Sequence, residues 1–195
     1  MEWYRKAAEQ GNAVAQLLLG NMYMNGRGID QNYSTAAEWY LKAAEQGHSV
    51  AQINLAEMYE NGWGVDQNDS TAVEWYREVA ERGYAYEATA AQLHLGRMYE
   101  NGLGVDQNYS TAVEWYRKVA EEGYATAAAD AQFNLGRMYE NGLGVDKNES
   151  TAMEWYRKAA EGGNVRAQFD LDRLTKSLRK RKKSEMSHIQ IKRPY

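Results

Sequence analysis

The sequence predicts an all-α protein built as an array of helix–turn–helix repeats, with about ten helices. Three observations carry this. The dipeptide Ala-Gln recurs at Ala15, Ala51, Ala91, Ala131 and Ala167, and Glu-Trp-Tyr recurs at Glu2, Glu38, Glu74, Glu114 and Glu154, with steps of 36 or 40 residues. Met-Tyr and Asn-Gly-x-Gly recur with them, at Met22, Met58, Met98 and Met138 and at Asn25, Asn61, Asn101 and Asn141. The aromatic composition, 15 Tyr and 6 Trp against 2 Phe, is the mark of a copied unit rather than a random core.

Each unit reads as two helices. The first runs from about Asn12 to Met24, with Ala13, Leu17, Leu19, Met22 and Tyr23 at helical spacing. Asn-Gly then stops it, because Gly tolerates the left-handed conformation that ends a helix. The apolar residue after the second Gly (Ile29, Val65, Val105, Val145) is expected to pack back under the turn. Asn32, Asn68, Asn108 and Asn148 are candidate N-caps of the second helix, with the Ser two residues later as rivals. That helix carries Ala36, Tyr40, Ala43 and Ala44 on one face, and Glu38–Lys42, Glu114–Lys118 and Glu154–Lys158 as i,i+4 pairs on a solvated face. Two units hold four extra residues, Tyr84–Glu87 and Tyr124–Ala127. Four residues make one helical turn, expected to lengthen the junction or the start of the first helix.

The pattern Ala-x-Ala-Gln-x-x-Leu-Gly-x-Met-Tyr-Glu-Asn-Gly-x-Gly-Val, followed by Ala-x-Glu-Trp-Tyr-Arg-Lys-Ala-Ala-Glu-x-Gly, closely resembles the Sel-1-like repeat family, relatives of the tetratricopeptide repeats. The resemblance covers about residues 1–174. It implies a right-handed α/α superhelix, a solenoid of stacked helix pairs, and a role as adaptor or scaffold for protein complexes. The expected units are about 7–42, 43–78, 79–118, 119–158 and a partial 159–174. Residues 1–6 form the end of a preceding second helix, and 175–195 a basic helical extension and tail. The chain opens on a second helix with no first helix before it. Its natural start lies upstream, or this helix is a cap, or another subunit covers it by self-association. At the other end the Asn-Gly-x-Gly turn is lost, and the chain runs on into a polar stretch suited to capping a solenoid.

Comparison of the first helices separates constant from changing positions. The changing ones are Val14, Leu18 and Asn21, then Val50, Asn54 and Glu57, then Ala90, His94 and Arg97, then Asp130, Asn134 and Arg137, then Arg166, Asp170 and Arg173. They lie at i, i+4 and i+7 and so share one stripe. In solenoids of helix pairs the inner helix lines the concave surface, so this stripe is expected to bind a peptide or helix of a partner. The plain alternative is drift on a solvated face. Trp63 occupies the variable position of the turn, where its counterparts are Arg27, Leu103 and Leu143. It reads either as a loop anchor for a partner or as packing on the next helix.

No chemistry stands out. The absence of Cys excludes disulfides, thiolate zinc and cysteine nucleophiles. His48, His94 and His188 lack partners at metal-ligand spacing, so no metal or cofactor is expected. Glu60, Glu100 and Glu140 recur with the repeat and read as framework rather than acid/base groups. Asp106–Ser110 lacks the Gly and Glu of a calcium loop. The expected function is a non-enzymatic scaffold.

The charge is uneven. The formal net charge is −4, yet residues 174–195 carry +7 and residues 1–173 carry −11. The run Arg179, Lys180, Arg181, Lys182, Lys183 is open to nucleic acid, anionic membrane or an acidic protein surface, or is a helix end complementing the dipole. An inhibitor-type role, such as an immunity protein for a toxin, is a further alternative. Met1 opens into an amphipathic helix with no visible signal peptide, which makes the cytoplasm the default location unless the natural N-terminus is missing.

Overall fold

The computed structural model describes residues 2–82, 85–122 and 124–191, without the side chains of 85, 125, 185 and 187–191. Among them are ten helices and no strand: α1 Glu2–Glu9, α2 Ala13–Asn25, α3 Tyr33–Ala44, α4 Ser49–Asn61, α5 Asp69–Arg82, α6 Ala85–Asn101, α7 Tyr109–Glu122, α8 Ala125–Asn141, α9 Glu149–Glu161 and α10 Val165–Ile191. The fold class is therefore the expected all-α repeat fold. The chain divides into two compact units, residues 1–115 and 116–195, with the division inside α7. No described helix is long and apolar enough to cross a membrane.

From α1 to α6 each helix packs on its sequence neighbours, and the core is a series of clusters. The first joins Ala8, Ala15 and Leu19. The second gathers Leu17, Tyr40, Leu55 and Met58 with Ala36, Ala43 and Ala51, and Val65 from the following turn packs against it, as the sequence predicts. The third holds Ala56, Tyr76, Val79, Leu95 and Met98. In residues 116–195, Tyr156, Ala159, Ala167 and Leu174 join α9 to α10. Alanines let the helix axes approach, and the tyrosine ring fills the space they leave.

The glycine turn does two jobs. Gly62 ends α4 in the left-handed region (φ 70°), and its N–H donates to the Met58 carbonyl. Gly64 (φ +70°) brings the turn against the start of α3, where an added Cβ would lie 2.3 Å from the carbonyl carbon of Tyr33. The second glycine is therefore a junction between successive repeats. The asparagines are the N-caps: the side chains of Asn32, Asn68, Asn108 and Asn148 accept from the N–H of Thr35, Thr71, Thr111 and Thr151 at 2.9–3.0 Å, and the serines do not take that place. The copied glutamine seals the other end. Gln16, Gln52 and Gln92 donate to the carbonyls of Ala8, Ala44 and Ala80 at the ends of α1, α3 and α5. Gln132 does the same to Ala120. This satisfies a carbonyl that the helix leaves orphaned.

Two expectations are refined. The four-residue inserts lengthen the first helix: α6 and α8 have 17 residues where α2 and α4 have 13. Tyr84 itself lies outside the described residues. In two of the i,i+4 pairs the lysine lies over a tryptophan rather than bridging its glutamate. Lys42 Nζ lies 4.1 Å from the centre of the Trp39 ring and Lys158 Nζ 4.4 Å from that of Trp155. An ammonium over an indole face keeps its stem on apolar surface, which an exposed carboxylate cannot offer.

Two stability experiments follow. Gly64→Ala combines a left-handed backbone with a backbone clash, and is expected to cost about 2–5 kcal/mol in urea unfolding. Gly47→Ala has the backbone strain (φ +80°) but no atom within 4 Å of the added Cβ, and should cost only about 1–2 kcal/mol. His48 holds the N-cap position of α4 without a side-chain bond, and its Nδ1 is buried and unpartnered. Asn12 and Asn164 occupy that position in other units and accept from Ala15 and Ala167. His48→Asn is expected to raise stability by about 1 kcal/mol, read as a higher thermal midpoint.

Candidate functional site

The stripe on the first helices is a set of polar groups anchored by the buried tyrosines beneath it. In residues 1–115, Tyr40 is buried, with its ring against Gly20, where a Cβ would lie 2.5 Å from the ring carbons. Only its hydroxyl reaches the stripe. It donates to Asn21 Oδ1 at 2.7 Å, and Asn54 Nδ2 donates to the same oxygen at 3.4 Å. Burial pushes the Tyr40 phenol up to about 12, so it stays a neutral donor. Leu18 and Asn21 border an open cleft of about 270 Å³ with Tyr4, Met22 and Arg27. Val14 and Leu18 are exposed.

The next pair repeats the plan with ionisable groups. Tyr76 donates to Glu60 Oε2 at 2.9 Å. His94 stacks on the Tyr76 ring, with centroids 4.5 Å apart. Its Nδ1 lies 3.4 Å from Glu60 Oε2 and its Nε2 3.9 Å from Glu57 Oε1. The hydrogen bond from His94 holds the Glu60 carboxyl below its ordinary value, with Tyr76 and the charge of Arg97 acting the same way. Burial pushes Glu57 up and Tyr76 well up. Arg97 is exposed.

Residues 116–195 hold a third version. The Tyr156 ring lies against Gly136, and its hydroxyl donates to Glu140 at 2.8 Å. Arg173 bridges Glu140 at 2.8 Å and Asp170 at 3.0 Å, and Glu140 foremost raises the guanidinium's pKa. Arg137 donates to Asn134 at 3.4 Å. Asn134 is only 8% exposed. That corrects its reading as an open groove residue, while Asp130 and Arg137 beside it on the stripe are half-buried.

Trp63 packs, but backwards. Its ring stacks on Tyr33, the first residue of α3, with centroids 6.4 Å apart, and it remains 40% exposed. The partner is the preceding pair, not the next helix, because Gly64 presses the turn onto that helix start. In the tail, Arg181 pairs with Glu149 and holds that carboxyl low. Arg179, Lys180, Lys182 and Lys183 are exposed. Residues 192–195 lie outside the described residues. On α1, Trp3 is 84% exposed. Among the described residues no three His, Asp or Glu form a metal-binding group. Glu60 and Glu140 recur as framework in the sequence, and in the structure each meets a tyrosine sixteen residues on. That shared spacing is the signal that marks them.

The two carboxylates beside His94 have opposite pH effects. Glu60, held low, contributes stability that is present above its ordinary pKa and lost as pH falls through its depressed value. Glu57, raised, disfavours folding when ionised and is relieved by acid. Urea unfolding at neutral pH and below the carboxylate range should show Glu60→Gln flattening the acid loss and Glu57→Gln steepening it.

The comparisons agree with this geometry. The Sel1 repeat model matches residues 1–12, 13–48, 49–84, 89–124 and 129–164. Comparison with curated proteins gives no match. Among solved structures, the chain is similar to c5321, a protective antigen of uropathogenic Escherichia coli displaying an SLR fold. That match has 42% identity and a TM-score of 0.79, over 88% of this chain and 35% of that one. A Sel1 repeat protein from Oxalobacter formigenes matches at 40% identity and a TM-score of 0.73, over 83% of this chain and 63% of that one. A Sel1 repeat protein from Klebsiella pneumoniae matches at 25% identity and a TM-score of 0.55, over 89% and 83%. The chain thus spans about a third of the first of these proteins and under two thirds of the second. With copied helix pairs, glycine turns and capping asparagines all in place, the chain belongs to the Sel1 repeat family.

Proposed function

We propose that this chain is a non-enzymatic scaffold that binds a protein partner on the face formed by the first helix of each pair. Sel1 repeat proteins generally mediate protein–protein interaction, and the family is typically a non-catalytic scaffold fold. The observation that carries the reading is the tyrosine-anchored polar stripe. Among the positions that differ from unit to unit, Asn21, Asn54, Glu57 and His94 hold polar groups at fixed places while still partly exposed. Fixed groups lose little side-chain freedom on binding, which favours affinity and lets each unit read a different part of the partner. Asn21 and Asn54 suit neutral polar contacts, Glu57 a cation, and the exposed Arg97 an anion.

The test is affinity capture from lysate of the source cells, followed by titration of the captured protein. Leu18→Ala in one variant and Arg97→Ala in another should each weaken binding by on the order of tenfold, with unchanged thermal midpoints. Glu74→Ala and Glu114→Ala, on exposed second-helix positions, should leave it unchanged. Binding that survives both stripe variants intact, or falls only with the second-helix variants, would move the partner to another face.

A further inference from the structure

α10 is the first helix of a pair, and its residues have counterparts in α2, α4, α6 and α8. Phe169 stands where Leu17 and Leu93 are buried, yet it is 72% exposed. Asp172 stands where Gly20 and Gly136 receive a tyrosine ring. Lys176 stands where Glu60 and Glu140 accept the tyrosine hydroxyl. Both features by which a first helix receives the repeat's second helix are therefore replaced. A methyl group is accommodated in the ring slot, since Ala56 is fully buried in one cluster with Tyr76. A carboxylate is another matter: it would lose its water against the negative face of the ring. Lysine has three donors and no acceptor, so it can only repeat the hydroxyl's role and not receive it as the glutamate does.

What stands there instead is a cationic face. Phe169, Asp172, Arg173, Lys176, Ser177 and Lys180 line a cleft of about 460 Å³. Arg173 is occupied by Glu140 and Asp170. Among the described residues no carboxylate pairs with Lys176 or Lys180. On its other side α10 is mounted on α9 through buried Ala167 and Leu174. One exposed aromatic is too little apolar surface for insertion into a bilayer.

We propose that the outer face of α10, from Phe169 to Lys180, docks an acidic helix of a partner protein. Carboxylates one turn apart on that helix meet Lys176 and Lys180, which are themselves one turn apart, about 6 Å along the axis. An apolar side chain of the partner covers Phe169. This surface goes beyond the first-helix stripe and does not depend on that stripe binding anything.

The test is fluorescence anisotropy on the full chain with five probes. The first is a labelled helical peptide carrying two Glu one turn apart beside a Leu, and the second is its twin with Gln for Glu. The third is a peptide of residues 149–161, a second helix of the repeat type. The last two are a single-stranded oligonucleotide and phosphatidylglycerol vesicles. The Glu peptide should bind, and its Gln twin at least about tenfold more weakly. The 149–161 peptide should not bind. The double variant Lys176→Gln with Lys180→Gln should lose about tenfold for the Glu peptide and Phe169→Ala about fivefold, both with unchanged circular dichroism. Lys176→Glu, a reversal at an exposed site, should abolish binding. Failure of the Glu peptide to bind, equal binding of its Gln twin or of the 149–161 peptide, or full binding by the variants would overturn the proposal. So would tighter binding of oligonucleotide or vesicles through the same lysines, which would reassign the face to phosphate.

Discussion

A tyrosine ring laid against a glycine is the contact on which the rest of this structure is arranged. Tyr40 on Gly20 and Tyr156 on Gly136 bring the two helices of a pair so close that a single added carbon would lie 2.5 Å from the ring. That closeness fixes the relative position of the helices. It buries a large aromatic surface in a core otherwise made of alanine with leucine and methionine. It also places the hydroxyl, which reaches Asn21 from Tyr40 and Glu140 from Tyr156.

The polar stripe is a consequence of that constraint. A buried phenol must find an acceptor, and the unit supplies one from the first helix. Where the unit has Glu60 or Glu140, the hydroxyl donates to a carboxylate. Where the first unit has Met24, that acceptor is missing, and Tyr40 turns to Asn21 instead. Each acceptor then gathers its own company: Asn54 at the first, His94 at the second, Arg173 at the third. The constant tyrosine thus becomes a mount for variable chemistry. This is how a copied framework presents different surfaces from one unit to the next without altering its packing.

Departures from the copied pattern are informative because the pattern is so strict. His48 in place of asparagine leaves one helix start without a side-chain cap. Asp172 and Lys176 remove the ring slot and the acceptor from α10 together. A single change at either place would be a weakened repeat. Both together make a different surface, one that carries charge where its counterparts carry a ring contact.

Much of this protein was legible from its residues in order. The period, the paired helices, the glycine turns, the asparagine caps and the lengthening of α6 and α8 all rest on interactions within one or two helical turns. Residue type and spacing decide such interactions before any tertiary contact forms. The roles of the copied glutamine, of Gly64 and of Glu60 and Glu140 were not legible, although all of them recur with the repeat. Each acts on an atom of another helix, and repetition marks a residue as necessary without saying what it touches. The tertiary structure alone decided that Asn134 is buried, that Trp63 faces backwards onto Tyr33, and that His94 sits between two carboxylates. All of these depend on how closely neighbouring helices and turns approach, which contacts such as Tyr40 on Gly20 and Gly64 on Tyr33 set, rather than on the local sequence at each site.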